Sequence, residues 1–387
     1  MKKNKSFIDI SHHSLNKKGE ELCGDKIEIF KSNEKSIIVL ADGLGSGVKA
    51  NILATLTTKI AITMLKEGGS VDETIDTIMK TLPVCQVRQI AYSTFGIIII
   101  DADLNCSVIE YDNPPIFFVR DNNLIHTYKK TKLYDKKKVN FSNFKLQEGD
   151  FITLVSDGVI HAGVGNFLNH GWEWSHVGDF LKRQHLLSAD HITRRLIDTC
   201  NQLYAKLPDD DTSAVTVKIR KPKVTNIFSG PPESPSFDKH YIDEFMNVNG
   251  KKILCGGTTA NIFSRELDEE LITTLDYANP KIPPTASLKG LDLVTEGVLT
   301  LKAVRDIFKR TTFSCDEFDF KGNDGASRLF KILIDESTHI SFWIGKAINP
   351  AHQNPDFPEE LSIKINIIKE ILEQLRLLNK QVTVKYI

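Results

Sequence analysis

Short apolar runs that meet an aspartate at one end constrain this chain more than any other feature. Ile37-Ile38-Val39-Leu40-Ala41 delivers Asp42 into the glycine-rich turn Gly43-Leu44-Gly45-Ser46-Gly47. Phe151–Ser156 runs into Asp157-Gly158, Asp209-Asp210-Asp211 leads straight into Thr212–Ile219, and Gly24-Asp25 precedes Lys26–Phe30. Runs of this length, rich in Ile, Val and Phe and bounded by turn residues, read as strands. If the ends converge they form one acidic cavity. Carboxylates packed that closely repel one another or take up protons unless cations neutralise them, so the pattern implies bound metal.

Two readings compete at Gly43-x-Gly45-x-Gly47. In one, Asp42 and the Gly43 carbonyl bind a hard cation, because oxygen ligands suit Mg²⁺ or Mn²⁺ and glycine lets backbone oxygen approach closely. In the other, the glycines are a degenerate dinucleotide fingerprint of an oxidoreductase, which requires a parallel βαβ unit here. The Asp42 carboxylate beside a pyrophosphate is repulsive, which favours the cation. An isolated Asp-Gly is more often a plain turn, and Asp209–Asp211 alone reads as a solvated charge run. Recurrence at four strand ends argues against both.

Further strands are expected at Ser36–Ala41, Thr94–Ile100, Cys106–Tyr111 and Ile116–Arg120. The connections Asp101–Asn105 and Arg120–Leu124 are short enough for hairpins, which points to an antiparallel, layered α+β class. Lys49–Lys66, with Ile52, Leu53, Leu56, Ile60 and Met64, and Ala189–Leu207, with Ile192, Leu196, Ile197 and Leu203, read as amphipathic helices packed on a sheet. Lys221–Ser236 concentrates Pro, Ser and Gly and is expected to be a linker or boundary loop, dividing domain 1–222 from domain 223–387 near Pro222.

In the second domain, Lys252–Cys255 enters Gly256-Gly257-Thr258-Thr259-Ala260-Asn261, and Leu293–Thr300 reads LVTEGVLT. Such Gly/Thr turns present backbone amides to an anion, although a structural turn is the commoner role and no lysine follows in P-loop fashion. The amphipathic Leu361–Leu378 and strand-like Val382–Tyr386 make this domain α/β, with an open role.

Taken in order, Gly24-Asp25, Ala41–Gly47, Gly149–Val159 and Asp209–Ile219 resemble the motifs of PPM-family phosphatases, in particular the SpoIIE-like bacterial subgroup, over about residues 1–220. The resemblance implies a β-sandwich of two antiparallel sheets flanked by helices, with two Mn²⁺ or Mg²⁺ ions at one end. By motif, Asp42 bridges the ions, Asp25 and the Gly43 carbonyl complete one side, and Asp157 and Asp209 hold the other, with Asp210 an adjacent ligand. Thr212 and Ser213 only support the strand. The implied reaction is hydrolysis of phosphoserine or phosphothreonine on a bacterial signalling protein, such as an anti-sigma-factor antagonist, by water activated at the metals, with no catalytic side chain as nucleophile. A homodimer is compatible with it. A catalytically inactive regulatory module is the alternative, against which the presence of all four acidic positions speaks. No basic residue near Asp25 matches the phosphate-binding arginine of eukaryotic relatives, an absence the bacterial subgroup generally allows.

The rest of the sequence narrows the setting. A net charge of −1, from 49 basic and 50 acidic residues, offers no global field for nucleic acid or an anionic membrane. Six scattered cysteines without a CxxC pair argue against a zinc ribbon or a disulfide framework and suit a reducing cytoplasm. The first residues lack a signal-peptide apolar core and no 18 apolar residues run together, so neither secretion nor a membrane span is expected. Histidines 12, 13, 161, 170, 176 and 185 are read as surface or satisfied core residues, with His161 the nearest to a candidate general acid. Trp172 and Trp174 are read as packing residues.

Overall fold

The computed structural model describes residues 6–81, 93–273, 282–313, 322–347 and 359–387, and its contacts divide the chain into Met1–Lys221 and Pro222–Ile387. Cys85 and Cys315 lie outside the described residues.

In the first unit the strands are β1 (Phe7–Leu15), β2 (Asp25–Lys31), β3 (Lys35–Gly43), β4 (Ser93–Asp101), β5 (Asn105–Tyr111), β6 (Phe117–Arg120), β7 (Asn123–Leu124), β8 (Lys130–Tyr134), β9 (Lys137–Lys145), β10 (Phe151–Val155) and β11 (Thr212–Arg220). Helices α1 (Gly47–Lys66), α2 (Val71–Thr81), α3 (Asp157–Ile160), α4 (Trp174–Lys182) and α5 (Ala189–Leu203) punctuate them. One sheet runs β1-β11-β10-β6-β7 and the other β2-β3-β4-β5-β9-β8, with antiparallel pairing in both. The expected hairpins join β4 to β5 and β6 to β7.

The two sheets pack face to face because their strands bury alternate residues against each other. Ile38 and Leu40 of β3, Ile98 and Ile100 of β4, Ile152 and Leu154 of β10, and Val215, Val217 and Ile219 of β11 share one core. On the other face of β3, Ile37, Val39 and Ala41 pack with Ala54, Ala61 and Leu65 of α1. A strand covered on both faces reads as an unbroken apolar run, which is why Ile37–Ala41 shows no alternation.

Helix α1 departs from expectation. Its buried side is made of small residues, Ala50, Ala54, Thr57, Thr58 and Ala61, with Leu65, while Ile52 and Leu56 are exposed. Close approach to β3 selects small side chains and turns the larger aliphatics outward. Among the described residues α1 is the one helix long and apolar enough to cross a membrane by length and composition, yet its small-residue face is packed on the sheet.

The second unit contains β12 (Val224–Ser229), α6 (Asp238–Met246), β13 (Lys251–Cys255), α7 (Gly257–Leu267), β14 (Ile272–Thr273), β15 (Ala286–Ser287), β16 (Leu293–Thr295), α8 (Val298–Phe313), α9 (Gly325–Lys331), β17 (His339–Ile344), α10 (Glu359–Leu377) and β18 (Gln381–Tyr386). Its sheet runs β14-β15-β16-β13-β12-β17-β18, parallel from β16 to β18. Helices α6 and α7 pack on one face with Phe228, Leu254 and Trp343; α8, α9 and α10 pack on the other with Ile227, Ile253 and Phe342. The stretch Lys221–Ser236 is thus not only a loop. Its Val224–Ser229 forms the strand between β13 and β17, hidden in the sequence by flanking Pro, Ser and Gly. LVTEGVLT likewise divides into the end of β16, a turn and the start of α8.

Candidate metal centre

Register and side-chain parity bring the acidic strand ends together. Asp25 of β2 pairs directly with Asp42 of β3. Asp42 has the parity of Ile38 and Leu40, and Asp25 that of Ile27 and Ile29, all of which pack between the sheets. Both carboxylates therefore sit on the inter-sheet faces, where the apolar filling runs out. From the opposing sheet, Ser156 follows β10 in line with Ile152 and Leu154, and Asp211 precedes β11 in line with Val215 and Val217.

Glycine lets these ends approach. A Cβ on Gly43 would lie 2.0 Å from the Ala50 carbonyl oxygen, so α1 rests directly on the strand end. A Cβ on Gly158 would lie 2.2 Å from the Asp211 carbonyl oxygen, and one on Gly24 2.7 Å from Asp211 Oδ2. The turn that follows Asp42 uses left-handed backbone at Gly45 and Gly47, with φ of 106° and 66°, before α1 begins. Hydrogen bonds pin the opposing edge: the Ser156 N–H donates to the Ser213 carbonyl at 3.0 Å, and the Ser213 N–H donates to Ser156 Oγ at 2.9 Å.

Burial and neighbouring charge raise these acids together. Burial, followed by the charges of Asp25, Asp157 and Asp210, pushes the Asp42 carboxyl up to about 10. Asp25 is pushed up to about 7 by burial, with Asp211 and Asp157 adding to the rise and the nearby Ser156 and Ser213 hydroxyls opposing it. Neither hydroxyl closes a hydrogen bond to Asp25: both of its buried carboxylate oxygens lack a hydrogen-bond partner. Asp210 is raised by burial and then by Asp157.

Asp211 behaves differently from its neighbours in sequence. It is buried, its Oδ1 accepts the Lys17 N–H at 3.0 Å, and its buried Oδ2 has no hydrogen-bond partner. Asp209 is exposed and is not among the carboxylates that raise Asp25 or Asp42.

Three orphaned, buried carboxylate oxygens at one edge are costly without a cation, and an all-oxygen donor set suits Mg²⁺ or Mn²⁺. Among the described residues no three His, Cys, Asp or Glu side chains already close around a point.

The family model for Stage II sporulation protein E (SpoIIE) matches residues 32–220, which span β3 with Asp42, Asp157 and all three acids before β11. Residues 32–220 are a SpoIIE-like segment of the PPM type. Solved structures similar to the chain include the phosphatase domain of SpoIIE from Bacillus subtilis, at 21% identity and a TM-score of 0.43, covering 56% of this chain and 94% of that one. The RsbU and RsbW domains of a Mycobacterium tuberculosis protein match at 16% identity and a TM-score of 0.45, covering 62% and 67%. RsbX in complex with magnesium matches at 18% identity and a TM-score of 0.41, covering 55% and 95%. Comparison with curated proteins found no match.

Within the SpoIIE-like segment, the structure brings Asp42, Gly43, Asp157 and Asp210 to one edge, with Asp25 beside them on β2, and leaves Asp209 outside. The residue that motif reading passed over is Asp211. Its signal was parity: two residues before Ser213, it continues the inward-facing row of β11. Lys17, whose Nζ lies 4.0 Å from Asp210 Oδ1, is a cation at the same edge that its distance in sequence concealed. His161 is exposed on the turn that ends α3, whereas His13 lies 3.1 Å from Asp190 within the fold. Trp174 stacks on Phe117 and donates its indole N–H to the Pro115 carbonyl at 2.8 Å, a packing role.

Proposed function

We propose that the chain is a metal-dependent protein serine/threonine phosphatase acting on a phosphorylated bacterial signalling partner in the cytoplasm. The observation that carries this reading is the pairing of Asp25 with Asp42 beneath orphaned carboxylate oxygens at the open end of a β-sandwich. Asp25, Asp42, Asp157, Asp210 and Asp211, with the Gly43 carbonyl, are the groups that would hold two Mn²⁺ or Mg²⁺ ions. When bound, such ions neutralise the phosphoryl oxygens and make water a competent nucleophile at neutral pH.

The protein's own residues prepare the site. The β2–β3 register fixes Asp25 against Asp42, and the glycine contacts at Gly24, Gly43 and Gly158 let backbone and carboxylate close up where any side chain would hold them apart. Burial keeps both acids able to carry a proton when no cation is present and ready to release it to one. Lys17 adds positive charge at the rim, where a phosphate dianion must approach. The SpoIIE match over residues 32–220 supports a phosphorylated signalling protein, such as an anti-sigma-factor antagonist, as substrate.

The test uses the full chain with p-nitrophenyl phosphate and a phosphothreonine peptide, with Mn²⁺, Mg²⁺ or excess EDTA. Turnover of both substrates with metal and loss in EDTA is expected. Undiminished hydrolysis in EDTA sinks the metal mechanism. Folded protein that takes up Mn²⁺ without turning over either substrate supports the inactive regulatory module instead.

A further inference from the structure

The parallel strands of the second unit end on a row of glycines. Ser229 of β12 pairs in register with Cys255 of β13 on one side and Ile344 of β17 on the other. The next residues, Gly230, Gly256 and Gly345, therefore follow one another along the carboxyl rim of the sheet. Glycine is required at two of them for different reasons: a Cβ on Gly345 would lie 2.0 Å from the Pro231 carbonyl oxygen, and Gly230 has left-handed backbone with φ of 86°. The winding also reverses here. From β12 the chain steps outward through α6, β13 and α7 to β16; α8 and α9 then bring it back across the opposite face to β17. In open α/β sheets, the crevice outside the carboxyl ends at such a reversal is where ligands bind.

Two polar groups at this point lack a partner that suits them. Ser229 is fully buried and its Oγ has no hydrogen-bond partner. It has the parity of Ile227, which packs with Ile367, Ile368 and Ile371 of α10. Lys364 belongs to the same helix, and its Nζ lies 3.2 Å from the Gly345 carbonyl oxygen and 3.5 Å from that of Ser229. An ammonium has three donors, and among the described residues it meets these two carbonyls, neither of which cancels the charge. Among the described residues no carboxylate pairs with it, and burial holds its pKa down at about 8. The group that would satisfy both the ammonium and the hydroxyl is an oxyanion.

A second donor set lies one strand away. Helix α7 is 11 residues long, starts at Gly257 after β13, and its N-cap, Gly256, offers no side chain to the first turn. Space at Gly257 is open, with nothing within 4 Å of a Cβ placed there. Free amides at such a helix end attract anions. Glu296, just after β16, is engaged by the Leu299 N–H at 3.2 Å. Helix α7 packs on the face of the sheet opposite α10, so the two donor sets meet only across the carboxyl rim and a single phosphate does not reach both.

We propose that the carboxyl rim of the second unit binds the diphosphate group of a small molecule, one phosphate between Lys364 and Ser229 and the other at the first turn of α7. A swing of the flexible Lys364 side chain opens the Ser229 hydroxyl to the ligand. This site uses none of the carboxylates of the first unit.

Calorimetric titration of the full chain in EDTA, with ADP and with inorganic phosphate as probes, tests it. Saturable ADP binding is expected, at least about tenfold tighter than phosphate, because phosphate engages one end of the site. Lys364→Met should weaken ADP binding at least about tenfold, the effect of losing a charge-assisted bond. Ser229→Ala should weaken it several-fold while leaving the unliganded melting temperature unchanged or higher, since the hydroxyl removed has no partner. It carries the test if Lys364→Met fails to fold. Absence of saturable ADP binding, ADP no tighter than phosphate, or ADP affinity unchanged by the substitutions overturns the proposal.

Discussion

Asp25 stands directly opposite Asp42 across the antiparallel pairing of β2 and β3. Like charges so placed destabilise a sheet, and burial adds to the cost, so the metal-free fold retains protons that the unfolded chain releases. The folded-state values of about 7 for Asp25 and about 10 for Asp42 both exceed the ordinary 3.8. A raised carboxyl means the folded state binds more protons, so this contribution to stability is greatest at low pH and falls as pH rises from about 4 towards 10. Unfolding in EDTA at pH 5 and pH 8 should show a steeper loss for the native chain than for Asp42→Asn. Added Mn²⁺ should flatten the native profile. Equal slopes for the two proteins contradict the assignment.

The three acids before β11 separate by burial rather than by order, and this predicts unequal effects. Asp211→Asn, which alters a buried carboxylate with an orphaned oxygen, should lower metal-dependent turnover at least about 100-fold, as should Asp42→Asn and Asp157→Asn. Asp209→Asn, at an exposed position, should stay within about threefold of the native rate. Steady-state rates with p-nitrophenyl phosphate and saturating Mn²⁺ measure the contrast. The reverse order, with Asp209 essential and Asp211 dispensable, would return the ligand role to Asp209.

Gly158 is pressed against the backbone of Asp211, with 2.2 Å available where a Cβ would stand. Gly158→Ala must push the strand ends apart, at a cost of about 1–3 kcal/mol typical of overpacking, and should raise the Mn²⁺ concentration needed for half-maximal activity. Gly149→Ala is the control. Its φ of 92° strains a side chain, but its Cβ meets nothing within 4 Å. Comparable stability loss in both variants with a shifted Mn²⁺ requirement only for Gly158→Ala is the expected result; a matching Mn²⁺ shift in Gly149→Ala would make the effect one of general destabilisation.

How much of this was legible in the sequence depended on how local the signal was. Ile37–Ala41 and Phe151–Val155 declared themselves as strands because both faces are buried, and hairpin-length connections marked β4–β5 and β6–β7 as antiparallel. Helix α1 was visible but its buried face was not. Hydrophobicity favours Ile52 and Leu56, whereas the observed face is chosen by how closely Ala50 and Ala54 let the helix approach. In the acidic triple, motif order pointed to Asp209, and only the alternation running back from Val217 through Ser213 singles out Asp211. Asp25 opposite Asp42 is a fact of register, which short sequences on separate strands do not reveal. The Lys364–Ser229 contact is more hidden still, joining residues far apart through a parallel topology.

The first unit has a core of its own, and this predicts that it stands alone. Its buried clusters draw on residues from Ile10 to Ile219, with Ile38, Leu40, Ile152, Leu154, Val215 and Val217 between the sheets and α1 and α2 over the outer face. The last strand is fully paired, Arg220 opposite Phe7, with the Arg220 guanidinium 2.9 Å from Asp9, so a chain ending just beyond it loses none of these bonds. Every acid assigned to the metal centre also precedes that point. A fragment of residues 1–222 should therefore fold and hydrolyse p-nitrophenyl phosphate in Mn²⁺ at a rate within several-fold of the full chain, since a small aryl ester needs no extended protein surface. Turnover of a phosphoprotein can change more, because the absent unit is free to position such a substrate or gate the site. Circular dichroism with Mn²⁺-dependent hydrolysis distinguishes the outcomes: a folded but inactive fragment means that catalysis draws on residues after 222, and an unfolded one means that the first unit depends on the second for its stability.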